Sequence, residues 1–264
     1  MTRPHDRRRL VRATIRSLVT LTAALGLLAS SAIVTQGAEA PDLAQRLSDA
    51  GRPEADVARD PGRKPAEVVQ FLGIGDGATV IDLIAASGYY TEVLSVAVGD
   101  AGKVYAHNTE FTLTYREGAN DKAMTKRLAD ARLPNVERLD REIADLGLQP
   151  DSVDAALTAL NFHDIYNGGS PEAAVRFLNG VANYLKPGGL LGVIDHAGDP
   201  GAPNADLHRM TEAEARQSIA ESVLVLEAES DVLRNPADDR SKSVFDPAIR
   251  GHTDRFVYLL RKPR

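Results

Sequence analysis

The chain of 264 residues has no cysteine and no tryptophan. Without cysteine there is no disulfide framework, thiolate nucleophile, thiolate metal site or lipidated cysteine terminus. Without tryptophan, and with only six phenylalanines, the core must be largely aliphatic. An excess of positive charge is missing too. Residues 1–40 hold six of the 31 basic and two of the 37 acidic residues, leaving 25 against 35, a formal charge of −10 over the remaining 224 residues. That balance speaks against a general nucleic-acid binder, which needs a basic footprint. Beyond Val34 no apolar run is long enough to span a bilayer, and there is no internal repeat or low-complexity tract.

What is present begins with a basic stretch: Arg3, Arg7, Arg8, Arg9, Arg12 and Arg16. A weakly polar run over residues 18–34 follows, then Ala38, Glu39 and Ala40. This is the n-region, h-region and small-x-small order of a secretory signal, so residues 1–40 are expected to be a signal peptide. The pair Arg7 and Arg8 resembles a twin-arginine signal, a receptor-read address. The apolar run also reaches the lower edge of a spanning length, which leaves an uncleaved anchor as the other reading. The expected location is therefore outside the cytoplasm, periplasmic in a Gram-negative bacterium or anchored to the membrane.

Residues 41–62 read as a short helix near Leu43 followed by linker. From Pro65 onward, apolar runs alternate with helical periodicity. Strands are expected at residues 78–84, 103–106, 136–139, 153–160, 190–194, 223–229 and 256–261. Helices are expected at 66–72, 90–98, 120–131, 171–185 and 211–222, the last capped by Thr211 with Glu214 three residues on. Residues 236–253 read as a loop. The first strand is too continuously apolar to be half exposed and reads as a buried parallel strand. Strand and helix alternating at this spacing predict one doubly wound α/β domain over residues 63–264. In such a sheet the ligand crevice lies beyond the carboxyl ends of the strands, where the strand order reverses. That rule selects residues 82–88, 107–110, 140–145, 161–166 and 195–196.

Four segments resemble the class I S-adenosylmethionine (SAM) dependent methyltransferase pattern. They are the run from Val80 through Asp82 and Gly88 to Thr91, the entry from Pro150 to Asp154, Asn161 to Asp164 leaving that strand, and Leu185 to Leu190 with its Lys-Pro-Gly-Gly turn. Tail segments around Asp195, His208, Arg234 and residues 250–256 resemble a smaller group of exported bacterial proteins called predicted methyltransferases. The resemblance implies a Rossmann-like, seven-stranded, mostly parallel sheet with an antiparallel last strand, in the order 3-2-1-4-5-7-6. It implies SAM as cofactor, held by Asp82, Ala85, Ala86, Gly88, Tyr90 and Asn161 at the methionine end. Glu110, Asp140 and Glu142 would serve the ribose and adenine. Ile84 and Ala86 stand where the family has glycines, and Asn108 where it has the ribose-binding acid; residues 85–88 keep N–H groups to offer a ligand. The first loop lacks Gly-x-Gly-x-x-Gly, a poor fit to dinucleotide oxidoreductases.

His163 and Asp164 leave the fourth strand, and Asp195 and His196 the fifth, so neighbouring strands bring all four to one rim. Imidazole and carboxylate suit general-base work on a hydroxyl or amine acceptor; His208 is expected to join them. The implied activity is methyl transfer to a small molecule, with no nucleic-acid partner, and with a membrane as partner only if the N-terminal segment stays uncleaved. Three other readings stay open. The domain has lost transfer and binds another nucleoside-like or small ligand, as the missing glycines and a non-cytoplasmic location suggest. Alternatively, the His/Asp cluster holds a divalent metal for catalysis. A purely structural domain would fill the crevice with its own side chains.

Overall fold

The computed structural model describes residues 42–264; the expected signal or anchor over residues 1–40 lies outside the described residues. The apolar runs form seven strands: β1 (Thr79–Leu83), β2 (Lys103–Asn108), β3 (Val136–Asp140), β4 (Val153–Ala159), β5 (Leu185–His196), β6 (Val225–Ser230) and β7 (Arg255–Arg261). They make one sheet in the order 3-2-1-4-5-7-6. The pairs among β1 to β5 are parallel, and β7 runs antiparallel to β5 and β6. Strand order reverses between β1 and β4, which sets the crevice at their carboxyl ends.

The helices before the sheet are α1 (Leu43–Asp49), α2 (Glu54–Val57), α3 (Asp60–Arg63) and α4 (Pro65–Phe71). Within and after it come α5 (Tyr89–Val98), α6 (Glu110–Leu128), α7 (Phe162–Gly168), α8 (Pro171–Tyr184), α9 (Asn204–Leu207) and α10 (Glu212–Ala220). Strand alternation assigns each face its partners. In β1, Ile81 and Leu83 join the cluster of Phe177, Leu178 and Val181 from α8 with Ile219 from α10. Val80 joins the opposite cluster of Val68 and Leu72 from α4 with Val93 and Leu94 from α5. Each fully buried aliphatic side chain of this kind contributes about 1.5–3 kcal/mol. The same alternation places Asp82 on the face of Val80, toward α5, where its carboxylate meets Thr91.

Several details differ from the sequence reading, among them α7, which carries His163 and Asp164, and α9, neither of them expected as helices. The stretch expected as linker folds into α2 and α3, because Arg52 grips Asp60 through both oxygens (2.6 and 2.9 Å) and Asp60 accepts the Tyr89 hydroxyl at 2.6 Å. Helix α6 starts at Glu110, behind the N-cap Thr109, not at residue 120. Its dihedrals break at residues 115–118, where Gly118 takes φ +75°. Strand β5 runs past residue 194 because β7 keeps pairing with it, Asp195 opposite Phe256 and His196 opposite Arg255. At its other end, the Pro-Gly-Gly turn is a bulge in the ladder between Leu185 and Leu190. The capping box of Thr211 and Glu214 forms as expected. Among the described residues no helix is long and apolar enough to cross a membrane.

Candidate functional site

The loop after β1 takes a glycine-type backbone without the glycines. Ile84 and Ala86 adopt φ of 52° and 50°, a left-handed conformation that costs roughly 1–2 kcal/mol for each residue with a Cβ. Hydrogen bonds hold it there. The Ile84 N–H donates to His107 Nδ1 (3.2 Å), the Ala85 N–H to the His107 carbonyl (2.8 Å) and the Ala86 N–H to Asn108 Oδ1 (2.8 Å). From the other side Asn161 Nδ2 donates to the Ile84 carbonyl at 3.3 Å. His107 is buried and neutral, donating from Nε2 to the Arg141 carbonyl.

This narrows the expectation that residues 85–88 keep their amides for a ligand: the N–H groups of Ala85, Ala86 and Gly88 are bonded within the protein, which leaves that of Ser87. Asn108, at the position of the family's acid, acts as a latch on Ala86. Gly88 is needed for its φ of +84° and because a Cβ would lie 2.9 Å from the Arg127 side chain. Its close approach is to Arg127, not to the crevice.

Asp82 is 3 % exposed, and burial pushes its carboxyl up to about 7 despite the Thr91 hydroxyl donating to it at 2.6 Å. With Ala85, Ala86, Tyr90 and Asn161 it lines a recess of about 200 Å³. The same recess is lined by Arg59 and Arg63, which the sequence reading missed. Their only sequence signal is a four-residue spacing on a segment rich in Asp, Pro and Gly. Arg63 lies 4.4 Å from the centre of the Tyr89 ring. Among the described residues no carboxylate comes within 4.0 Å of it. The remaining expected cofactor residues, Glu110, Asp140 and Glu142, line a separate open groove of about 760 Å³. Glu142 accepts the Glu110 N–H at 3.3 Å. The two hollows share no lining residue, and the Ala86–Asn108 bond ties together the loops that border them.

The histidines and aspartates do converge, but into unequal roles. His163 Nδ1 meets Asp195 Oδ1 at 2.7 Å and its Nε2 meets Asp164 Oδ1 at 3.2 Å. Burial alone would lower its pKa, but the charge of Asp195 and the bonds to both carboxylates raise it to about 10. His163 is therefore an imidazolium with both nitrogens engaged. Asp195, fully buried, accepts from His163 Nδ1 and from the backbone N–H groups of His163 and His196. His163, so arranged, has no free nitrogen for an incoming proton.

His196 differs, because strand alternation turns it to the opposite side of β5 from Asp195. Its Nδ1 pairs with Thr253 Oγ1 at 2.7 Å. Burial first, then the charge of Arg255, holds it well below its ordinary pKa, so it is neutral. It lines a third cavity of about 480 Å³, where its Nε2 has no partner among the described residues. His208 sits at the exposed rim, bonded to Asp164 at 3.1 Å and edge-on to Phe245 at 4.8 Å. His163, Asp164 and His208 place one nitrogen or oxygen each within 4.8 Å of one another; Asp195 and His196 lie outside that group. Arg209, beside His208, is buried against Asp238 at 2.9 Å.

No family model matches the chain, and no curated protein matches it in sequence. Solved structures match it in fold. A SAM-dependent methyltransferase from Aquifex aeolicus superposes with a TM-score of 0.57 at 21% identity, over 84% of this chain and 99% of its own. The [4+2]-cyclase SpnF gives 0.54 at 18% identity, over 76% of this chain and 80% of its own. A protein described as a possible exported protein from Bordetella parapertussis gives 0.51 at 14% identity, over 81% and 71%. The fold is thus the class I one, shared by SAM-dependent methyltransferases and by a cyclase.

Proposed function

We propose that the chain is an exported, SAM-dependent methyltransferase acting on a small molecule. The observation that carries this reading is the recess at the end of β1, walled by the Asp82 carboxylate and the carboxylate-free Arg63 guanidinium. A carboxylate and a guanidinium in one small recess complement the ammonium and carboxylate of an α-amino acid, the methionine end of the cofactor. Asp82 and Arg63 would hold that end, with Asn161 alongside. Glu110 with Asp140 or Glu142 would hold the nucleoside across the neighbouring groove.

When bound, SAM supplies a methyl group already activated on a sulfonium. The chain's own task is to position the acceptor, exclude water and handle one proton. The neutral His196 is the group placed for the proton, through Nε2. His163 and Asp195 fix its surroundings, and Asp164 and His208 close the rim. The signal-like segment supports a periplasmic location in a Gram-negative cell, by the twin-arginine route or as an anchored form.

A second reading is favoured by the internally bonded loop. With three amides and Asn108 already engaged, the domain binds a different nucleoside-like or small ligand and transfers no methyl group. Isothermal titration of SAM into the full chain separates the two, with Asp82→Asn and Arg63→Gln as controls. Micromolar binding lost in both variants supports the methyltransferase. A folded protein that takes up no SAM at millimolar concentration supports the second reading.

A further inference from the structure

Arg63, Arg250 and Arg255 line the third cavity, of about 480 Å³, together with Arg59 and His252, and no acidic residue lines it. In a chain of such negative balance this is an unusual concentration of cations. Other arginines in the core are answered by carboxylates: Arg209 by Asp238, Arg127 by Glu92 and Asp56, Arg52 by Asp60. Among the described residues, Arg63, Arg250 and Arg255 have no carboxylate within 4.0 Å. Arg255 is 2 % exposed. It donates from Nε to Thr253 Oγ1 and from Nη1 to the Gly62 carbonyl, both at 2.9 Å. Its Nη2 has no acceptor among the described residues. Burial and the neighbouring charge of Arg63 bring it down to about 10, so it stays charged at neutral pH.

A buried cation without a counter-charge is costly; Arg255 is such a cation, and the half-buried Arg63 and the exposed Arg250 add their charge to the same hollow. The hollow is also built. A Cβ on Gly62 would lie 2.3 Å from the Gly251 carbonyl oxygen, so only bare backbone lets the Arg59/Arg63 segment and the Arg250/Arg255 segment meet. Leu160, Val244 and Phe245 supply an apolar wall. Arg59, Arg63 and Leu160 also line the Asp82 recess, which makes the two hollows neighbours.

We propose that this cavity binds a small amphipathic anion, its carboxylate or phosphate held by Arg250 and Arg255, with Arg63, which also lines the Asp82 recess, bridging to it, and its apolar body against Phe245, Val244 and Leu160. Resting on the methyltransferase reading, that anion is the methyl acceptor, and its nucleophile faces His196 Nε2.

The test is isothermal titration of benzoate, phenyl phosphate and the neutral isostere benzamide into the full chain, alongside a separate SAM titration. Benzoate or phenyl phosphate should bind, benzamide should not, and binding should weaken with salt; the two anions separate a carboxylate from a phosphate ligand. Arg250→Glu, an exposed change that leaves the fold intact, should weaken the anion at least about tenfold and leave SAM affinity unaltered. Benzamide binding as well as benzoate, neither anion binding at millimolar concentration, or Arg250→Glu matching wild type would each overturn the proposal. Anion binding without SAM binding keeps the cavity and removes the methyltransferase reading. SAM binding without anion binding does the reverse.

Discussion

Replacing Asp82 with asparagine should stabilise the protein while removing its proposed cofactor grip. The carboxyl is 3 % exposed and burial lifts it from an ordinary 3.8 to about 7. Because the folded value lies above the unfolded one, the stability linked to this group is complete below pH 3.8 and lost as pH rises through about 7. The full displacement corresponds to a ceiling of about 4 kcal/mol. Local relaxation around the charge returns part of it, so a gain of about 1–3 kcal/mol at pH 8 is expected for Asp82→Asn. Asparagine can still accept the Thr91 hydroxyl, so the local packing survives. The assay is urea denaturation of wild type and variant from pH 5 to 9. The variant's advantage should grow with pH and level off above pH 7. An advantage independent of pH, or a variant less stable than wild type at pH 8, would refute the reasoning.

His163→Gln leaves Asp195 buried without its ring partner and should cost about 3–5 kcal/mol, read as a fall in the urea midpoint. His163 is raised to about 10, so its contribution is complete below pH 6.5 and lost as pH rises through 10; wild type should lose stability from pH 7 to 10 and the variant should lose less. Ala86→Gly relieves about 1 kcal/mol of left-handed strain and gives back a similar amount in chain entropy. Its stability should therefore match wild type, while SAM titration shows tighter binding; an unchanged affinity would mean that the Ala86 side chain does not crowd the ligand.

The strand order was legible because each apolar run is bounded by turn residues and because the resemblance spans most of the domain. Asp82 was legible for the same reason, a lone acid inside an apolar run. The roles of His163 and His196 were not. They depend on where β5 ends, and pairing with β7 carries that strand two residues beyond its apolar run, so that alternation sends Asp195 and His196 to opposite faces. The conformation of Ile84 and Ala86 was hidden too, since it rests on bonds to His107 and Asn108 across the sheet. Arg63 and Arg255 belong to segments with no shared pattern, and only the folded chain brings them together.

The contact between Gly62 and Arg255 joins positions 193 residues apart. An anion held between Arg63 and Arg255 would therefore work as a reversible staple across nearly the whole domain. It would close a loop whose entropy the bare fold must offset alone, and it would raise the unfolding midpoint with ligand concentration. Occupancy of the cavity and protection of the first and last parts of the domain from proteolysis would rise together, coupling the supply of the ligand to the lifetime of the protein.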